Sequence, residues 1–196
     1  MFKMKDTYHH GDLRNALINA GLKLINESGE ENLSLRKVAS LCNVSHSAPY
    51  AHFKDKEELI EAIKKSVTDT FMEELNSSIK CAKTAEESIL NMGRSYVLFF
   101  KNNPDYYTFL FGKQNISAHM MFDKEYNNDY QPFILLKNQY LKYLDEKKIN
   151  RTNEEKEIDL IKIWSTVQGL ASICCMKNVN VSFNWEEKIN SDLLLR

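Results

Sequence analysis

Leu33 to Phe53 read LSLRKVASLCNVSHSAPYAHF, and the physical grammar of this stretch decides the fold. Leu35, Val38, Ala39 and Cys42 recur at the spacing that lines one side of a helix, with Leu41 at the edge of the stripe. Such a stripe needs a core to sit on. Asn43 then supplies a residue tolerant of turn geometry, Val44 an apolar plug, and Ser45 or Ser47 a cap for a second helix. Pro49 has no N–H and is tolerated in the first turn, so the second helix is expected to begin at about His46 or Ser47 and to end near Phe53. Ala48 precedes that proline and is biased away from helical angles, which predicts an irregular start. Two short helices joined by a tight turn make a helix-turn-helix.

The flanks extend the pattern in both directions. Upstream, Leu13, Ala16, Leu17, Ala20 and Leu24 form an i, i+3, i+4 series, with Asp12 as a cap and Gly29 where a helix ends. Downstream, Asp55 caps a helix whose first turn is acidic at Glu57 and Glu58 and which carries Leu59, Ile60 and Ile63 onward out of the small domain. A DNA-binding-type domain over residues 1–60 and a larger helical domain over 61–196 are expected. In the second part, Phe133, Leu136, Tyr140, Leu141 and Leu144 repeat at helical spacing, as do Ile158, Ile161, Trp164, Val167, Leu170 and Ala171.

These residues resemble a known family. YHHGDLRNAL (Tyr8–Leu17), LSLRKVA (Leu33–Ala39) and NVSHSAPYAHFKDKEEL (Asn43–Leu59) look like the N-terminal domain of TetR-type transcriptional regulators, with Ser45, Tyr50, Phe53 and Lys56 meeting a Ser-x-x-x-x-Tyr-x-x-Phe-x-x-Lys pattern. The Ala48-Pro49-Tyr50 variant is similar to a branch whose C-terminal domain carries a Trp-x-x-x-His-Gly signature. Here Trp164 and Gly169 fall in register, while Gln168 stands at the histidine position. The stretch from Tyr96 to Gly112 around Pro104 resembles that branch too, so the likeness runs from Tyr8 to about Cys175 and is closest over the first third.

The likeness implies an all-α protein with a three-helix N-terminal DNA-binding domain and a larger C-terminal ligand-binding and dimerisation domain. It implies a repressor, binding near-palindromic double-stranded operator DNA as a homodimer and released by a small-molecule effector. The last two long helices are expected to pair with those of a second copy. Ser34, Tyr50, His52 and Lys56 suit phosphate oxygens, which position without reading sequence, whereas Arg36, His46 and Ser47 are better placed for bases and Ala48 offers a methyl to thymine. Leu35, Val44 and Ser45 complete the expected contact surface, and in the family the arm before the first helix reaches DNA, here Tyr8, His9 and His10. Other readings stand beside these: Phe53 packs the small domain, and His9 and His10 also fit a solvated tail.

An aromatic-rich region runs from Tyr96 through Phe99, Phe100, Tyr106, Tyr107, Phe109 and Phe111 to Phe122. Its rings either fill the core or line a pocket, for which Tyr96, Phe99, Phe100, Tyr107, Trp164 and Gln168 are the candidates. A ligand there acts only by binding one arrangement better than another. Glutamine in place of histidine removes a group that titrates near neutral pH.

Composition sets the outer bounds. The chain has 196 residues, is 43% hydrophobic and 27% charged, and holds only six Gly and three Pro, with no run of alternating β-branched residues. Net charge is −1, and up to Ile60 eight Lys or Arg meet eight Asp or Glu, so weak nonspecific DNA affinity and reliance on a dimer are expected. Arg36, Lys37, Lys54 and Lys56 nevertheless bracket the motif, and Glu27, Glu30 and Glu31 lie away from it. Tyr96 to Phe100 is a short apolar run, Met1 to Asp12 is charged, and no membrane association is expected, which suggests a cytoplasmic protein.

No G-x-S-x-G, phosphate-cradling glycine loop or H-E-x-x-H occurs, so no enzyme and no cofactor are expected. His9 and His10 lack a third ligand at suitable spacing, and the four Cys form no CxxC, so no metal is expected. A redox role for Cys174 or Cys175 is the minor alternative to reduced, packed thiols. The rival to a DNA-binding regulator is a protein-interaction module in which the helix-turn-helix only packs.

Overall fold

The computed structural model describes residues 10–112, 116–124 and 129–189, the first three by backbone alone. Every regular element among them is helical, as the sequence predicts: α1 His10–Ser28, α2 Leu35–Leu41, α3 Lys56–Ile79, α4 Ala85–Asn102, α5 Pro104–Phe111, α6 Gln131–Lys147, α7 Asn153–Cys175 and α8 Trp185–Lys188, with 3₁₀ turns at Glu30–Asn32 and Ala48–Ala51. The chain forms two compact units, residues 1–67 and 68–196. Their division falls inside α3 rather than at 60/61, because one uninterrupted helix crosses it and no linker composition marks the place.

In the first unit Leu17, Val38, Ala39, Leu59 and Ile63 have no solvent exposure and Phe53 only 1%, so the apolar stripes of α1, α2 and α3 meet in one small core. α1 already includes His10, so Asp12 lies within the helix rather than at its cap. It stops at Ser28, and Gly29 follows at φ 86°, a conformation that favours glycine. Gly21 lets α1 lie close to α3: a Cβ there would stand 2.8 Å from Ile63 Cδ1. Asp55 accepts from the Glu58 N–H at 2.9 Å, and the Glu58 carboxylate reaches back to the Lys54 N–H at 2.6 Å, a reciprocal cap that starts α3.

The second unit is a stack of α4, α6 and α7, with α5 against α4 and α7. Thr152 and Glu155 form a capping box at the start of α7. Asp159 of α7 accepts from the Tyr140 hydroxyl at 2.7 Å and pairs with Arg151 at 3.3 Å, while Glu146 of α6 accepts from the Ala85 N–H at 2.8 Å. α6 ends in a left-handed Lys148 at φ 53°, with Ile149 N–H donating to the Leu144 carbonyl at 2.9 Å.

The two long stripes do not behave alike. On α6, Phe133, Leu136, Tyr140 and Leu144 are buried and Leu141 is exposed; on α7, Leu160, Val167 and Ala171 are buried while Ile158 and Ile161 stand 43% and 47% exposed. Among the described residues α7 therefore has apolar side chains on two faces, one buried and one exposed. That is also why α7 is long and apolar enough by length and composition to cross a membrane, beyond what the short Tyr96–Phe100 run suggests.

Candidate functional site

The helix-turn-helix tip is built on buried supports. Ser34 accepts from the Lys37 N–H at 3.3 Å and caps α2; one of its lone pairs is thus engaged in structure, and its hydroxyl hydrogen remains for a phosphate. Leu35 is buried, so its side chain belongs to the core and only its backbone is within reach of a partner. Asn43 takes φ 55° at the turn, which a short amide side chain tolerates. Val44 is half-buried, and its N–H donates to the Ala39 carbonyl at 3.1 Å, closing the chain onto α2.

The second element is shorter than expected. It is one 3₁₀ turn, Ala48–Ala51, rather than a helix from His46 to Phe53, with Pro49, which has no N–H to donate, in its first turn. Neither serine caps it: Ser45 and Ser47 hydrogen-bond each other at 3.1 Å, and the Ala48 N–H donates to the Ser45 carbonyl at 3.0 Å. Pro49 and Phe53 are buried beneath, with the Arg14 guanidinium 5.2 Å from the Phe53 ring centre.

Above this floor Ser45, His46 and Ser47 are exposed and Tyr50 is 54% exposed, an unusual position for a ring that has an apolar core beside it. Ala48, His52 and Lys56 are half-buried at the rim, and Arg36 projects from α2 into solvent. The His46 Nε2 lies 3.3 Å from Ser40 Oγ, whose hydroxyl donates to the Arg36 carbonyl at 3.0 Å, so α2 steadies the imidazole. Ser40 was not among the predicted residues, since nothing in the one-dimensional pattern links positions 40 and 46. The structure thus gathers Arg36, Ser45, His46, Ser47 and Tyr50 on one unit. Tyr8, His9 and the His10 side chain lie outside the described residues.

In the second unit the aromatic stretch divides. Phe71 and Phe100 are fully buried and 4.8 Å apart; Phe99 stacks on Phe71 at 4.7 Å, and Tyr107 and Phe111 each sit 5.5 Å from Phe100. Phe99 and Phe100 are therefore core rings, and neither borders the apolar cleft described next. Tyr96 and Trp164 do: with Leu75, Met92, Tyr130, Phe133 and Ile163 they border an apolar cleft of about 40 Å³. Gln168 accepts a short hydrogen bond from the Tyr96 hydroxyl and donates to Tyr107 Oη at 3.2 Å, so its amide bridges α4 and α5 from α7. Burial pushes the Tyr96 and Tyr130 phenols well above their usual range, and both stay neutral at physiological pH. Tyr130, absent from the predicted set, sits just before α6 and outside the dense aromatic run that drew the eye.

The thiols of Cys174 and Cys175 are both pushed by burial up to about 11, which leaves little thiolate at neutral pH. Among the described residues no cluster of three His, Cys, Asp or Glu side chains is placed to hold a metal ion.

Residues 17–63 match the family model of bacterial regulatory proteins, tetR family. A stretch of 93 residues is 30% identical to an uncharacterized HTH-type transcriptional regulator of Haemophilus influenzae, covering 47% of this chain and 50% of that one. Fifty residues are 40% identical to the class G tetracycline repressor protein of Vibrio anguillarum, covering 26% of this chain and 24% of the repressor. The chain thus spans half the length of the first of these curated relatives and about a quarter of the second. In fold it is similar to a solved structure from Pseudomonas aeruginosa PAO1, with a TM-score of 0.74 at 17% identity over 93% of this chain and 88% of that one. Residues 17–63 are thus similar to the tetR-family model within the first unit, and the likeness to the solved structure is one of fold.

Proposed function

We propose that this chain is a homodimeric, sequence-specific DNA-binding transcriptional regulator, a repressor that leaves its operator when a small molecule occupies the second unit. The observation that carries the reading is the tip: hydroxyl, imidazole and phenol groups stand in solvent on a floor of buried Pro49, Phe53 and Leu35. Short side chains at Ser45, Ser47 and Ala48 allow a backbone to come close to a groove, and an exposed tyrosine hydroxyl suits a phosphate. Arg36, His46 and Ser47 read bases, Ala48 meets a thymine methyl, and Ser34, Tyr50, His52 and Lys56 hold the backbone. Leu35 and Val44 contribute through their main chain. Tyr8, His9 and His10 form the arm.

The apolar faces left open on α6 and α7, with Leu141, Ile158, Ile161 and Ile173 exposed, support pairing of those helices with a second copy. Gly169, around which a Cβ would meet nothing within 4 Å, leaves room for close approach on α7. We read the chain as a member of the branch named for Trp-x-x-x-His-Gly in which glutamine has taken the histidine's place as a hydrogen-bonding bridge. A two-fold dimer expects half-sites one helical turn or more apart.

The test is in vitro selection of bound fragments from a random DNA pool with the full chain. Enrichment of paired, inverted half-sites supports the reading. Absence of any enriched sequence overturns it.

A further inference from the structure

The cleft between α4, α6 and α7 is lined by Leu75, Met92, Tyr96, Phe133, Ile163 and Trp164 among others, and none of its lining residues carries a charge. It holds one polar group without a partner. Tyr130 lines the cleft, is 8% exposed, and its hydroxyl has no hydrogen-bond partner among the described residues. The Tyr96 hydroxyl, by contrast, is taken up by Gln168. A buried hydroxyl left unpaired carries an uncompensated desolvation cost, which a ligand able to hydrogen-bond it removes.

Size and polarity narrow the ligand further. A free volume of about 40 Å³ holds something on the order of three waters, so a compact ring enters only as the lining side chains move apart toward the ~150 Å³ that a benzene-sized cavity takes. A neighbouring open groove of about 290 Å³ shares Ile89, Gly93, Ile163 and Val167 as lining residues. Lys162 and Glu86 border that outer groove, but each already faces an opposite charge, Asp159 at 3.8 Å and Lys147 at 2.7 Å. An anionic group in the inner cleft would be desolvated with no cation to meet it.

We propose, resting on the regulator reading above, that the effector is a compact uncharged ring compound with one hydrogen-bonding group, of phenol type, seated in this cleft with that group on Tyr130 Oη. Phenol both donates and accepts, which matches a tyrosine hydroxyl that can do the same.

The experiment follows thermal unfolding of the full chain with phenol, toluene or benzoate at pH 7, and binding to DNA obtained by selection. Phenol is expected to raise the unfolding midpoint more than toluene does, with benzoate giving no shift, and to release the DNA. Tyr130→Phe should raise the midpoint of the free protein by roughly 2–4 °C and weaken phenol binding roughly tenfold, to the level of toluene. Ile163→Trp, which fills the cleft, should abolish the phenol and toluene shifts together and serves if the first variant folds poorly.

A benzoate shift equal to that of phenol, a phenol preference that survives Tyr130→Phe, retention of DNA at saturating phenol, or no shift with any compound overturns the proposal. The two readings fail separately. DNA selection that succeeds while none of the compounds binds removes the effector class alone, whereas phenol binding without any selected DNA removes the regulator reading.

Discussion

The tip at Ser45–Tyr50 and the outer face of α7 are both exposed, and they are opposites in chemistry. The tip offers hydroxyls, an imidazole and a phenol over a tightly closed apolar floor; the α7 face offers Ile158, Ile161 and Ile173 with the helix's other side already buried. Exposed polar groups cost nothing in water and are free to exchange it for phosphate or base edges. Exposed branched aliphatics are stabilised only when something apolar covers them. The contrast separates a polar surface that can trade water for hydrogen-bonding partners, the proposed DNA contact, from an apolar one that gains by being covered, the proposed seam with a second copy.

The largest effect expected comes from the floor of the tip. Phe53→Ala removes a ring that is 1% exposed and should destabilise the first unit by about 3–5 kcal/mol, read by chemical denaturation. A loss below about 1 kcal/mol would mean the tip does not depend on that ring.

On the other surface, Ile158→Glu combined with Ile161→Glu places two carboxylates on the α7 face. Sedimentation should show a monomer, and affinity for selected DNA should fall at least a hundredfold, while helicity is retained. An unchanged dimer would move the pairing surface elsewhere.

Smaller again is His46→Ala, expected under the proposed reading, in which the imidazole meets a base edge, to cost about 1–3 kcal/mol of operator affinity and to relax preference at one base position. Tyr50→Phe removes only a hydroxyl and should weaken binding uniformly across sequences, the signature of a phosphate contact. If both leave DNA binding untouched, the polar tip is packing ornament and the protein-interaction reading gains. Ser34→Ala sits lower still, at about 1 kcal/mol of stability from the lost cap.

The least effect is expected from the thiols. With both pushed up to about 11, Cys174 and Cys175 stay protonated below that pH, so exposed Cys81 should be alkylated first at pH 7 and mild oxidation should leave operator affinity unchanged. Alkylation of the pair should accelerate as pH rises toward that value.

The all-α class and the position of the motif were legible because a 3.6-residue apolar rhythm and capping residues are local properties. Asn43, Gly29 and Asp55 act where a reader of the chain would place them. The length of the second element was not, since Pro49 and the Ser45–Ser47 contact trade an α turn for a 3₁₀ one through short-range sterics that periodicity does not carry. Leu35 was legible as core and as contact at once; only burial separates these. The aromatic run misled by abundance: Phe99 and Phe100 serve the core, while the cleft draws on Tyr130 and Met92 from segments brought together by packing over long separations. Periodicity also could not say which side of α7 its own chain would cover.

The brevity of the Ala48–Ala51 turn sets a limit on how much text one subunit can distinguish. Under the proposed reading four side chains reach base edges, Arg36, His46, Ser47 and Ala48, only the last of them from this turn; at ~1–3 kcal/mol of discrimination each, one copy musters roughly 4–12 kcal/mol. Finding one address among ~10⁶ competing chromosomal positions requires on the order of 8 kcal/mol before any margin. A lone subunit reading DNA as proposed reaches that figure only in the upper part of its range, whereas two reading together square the odds.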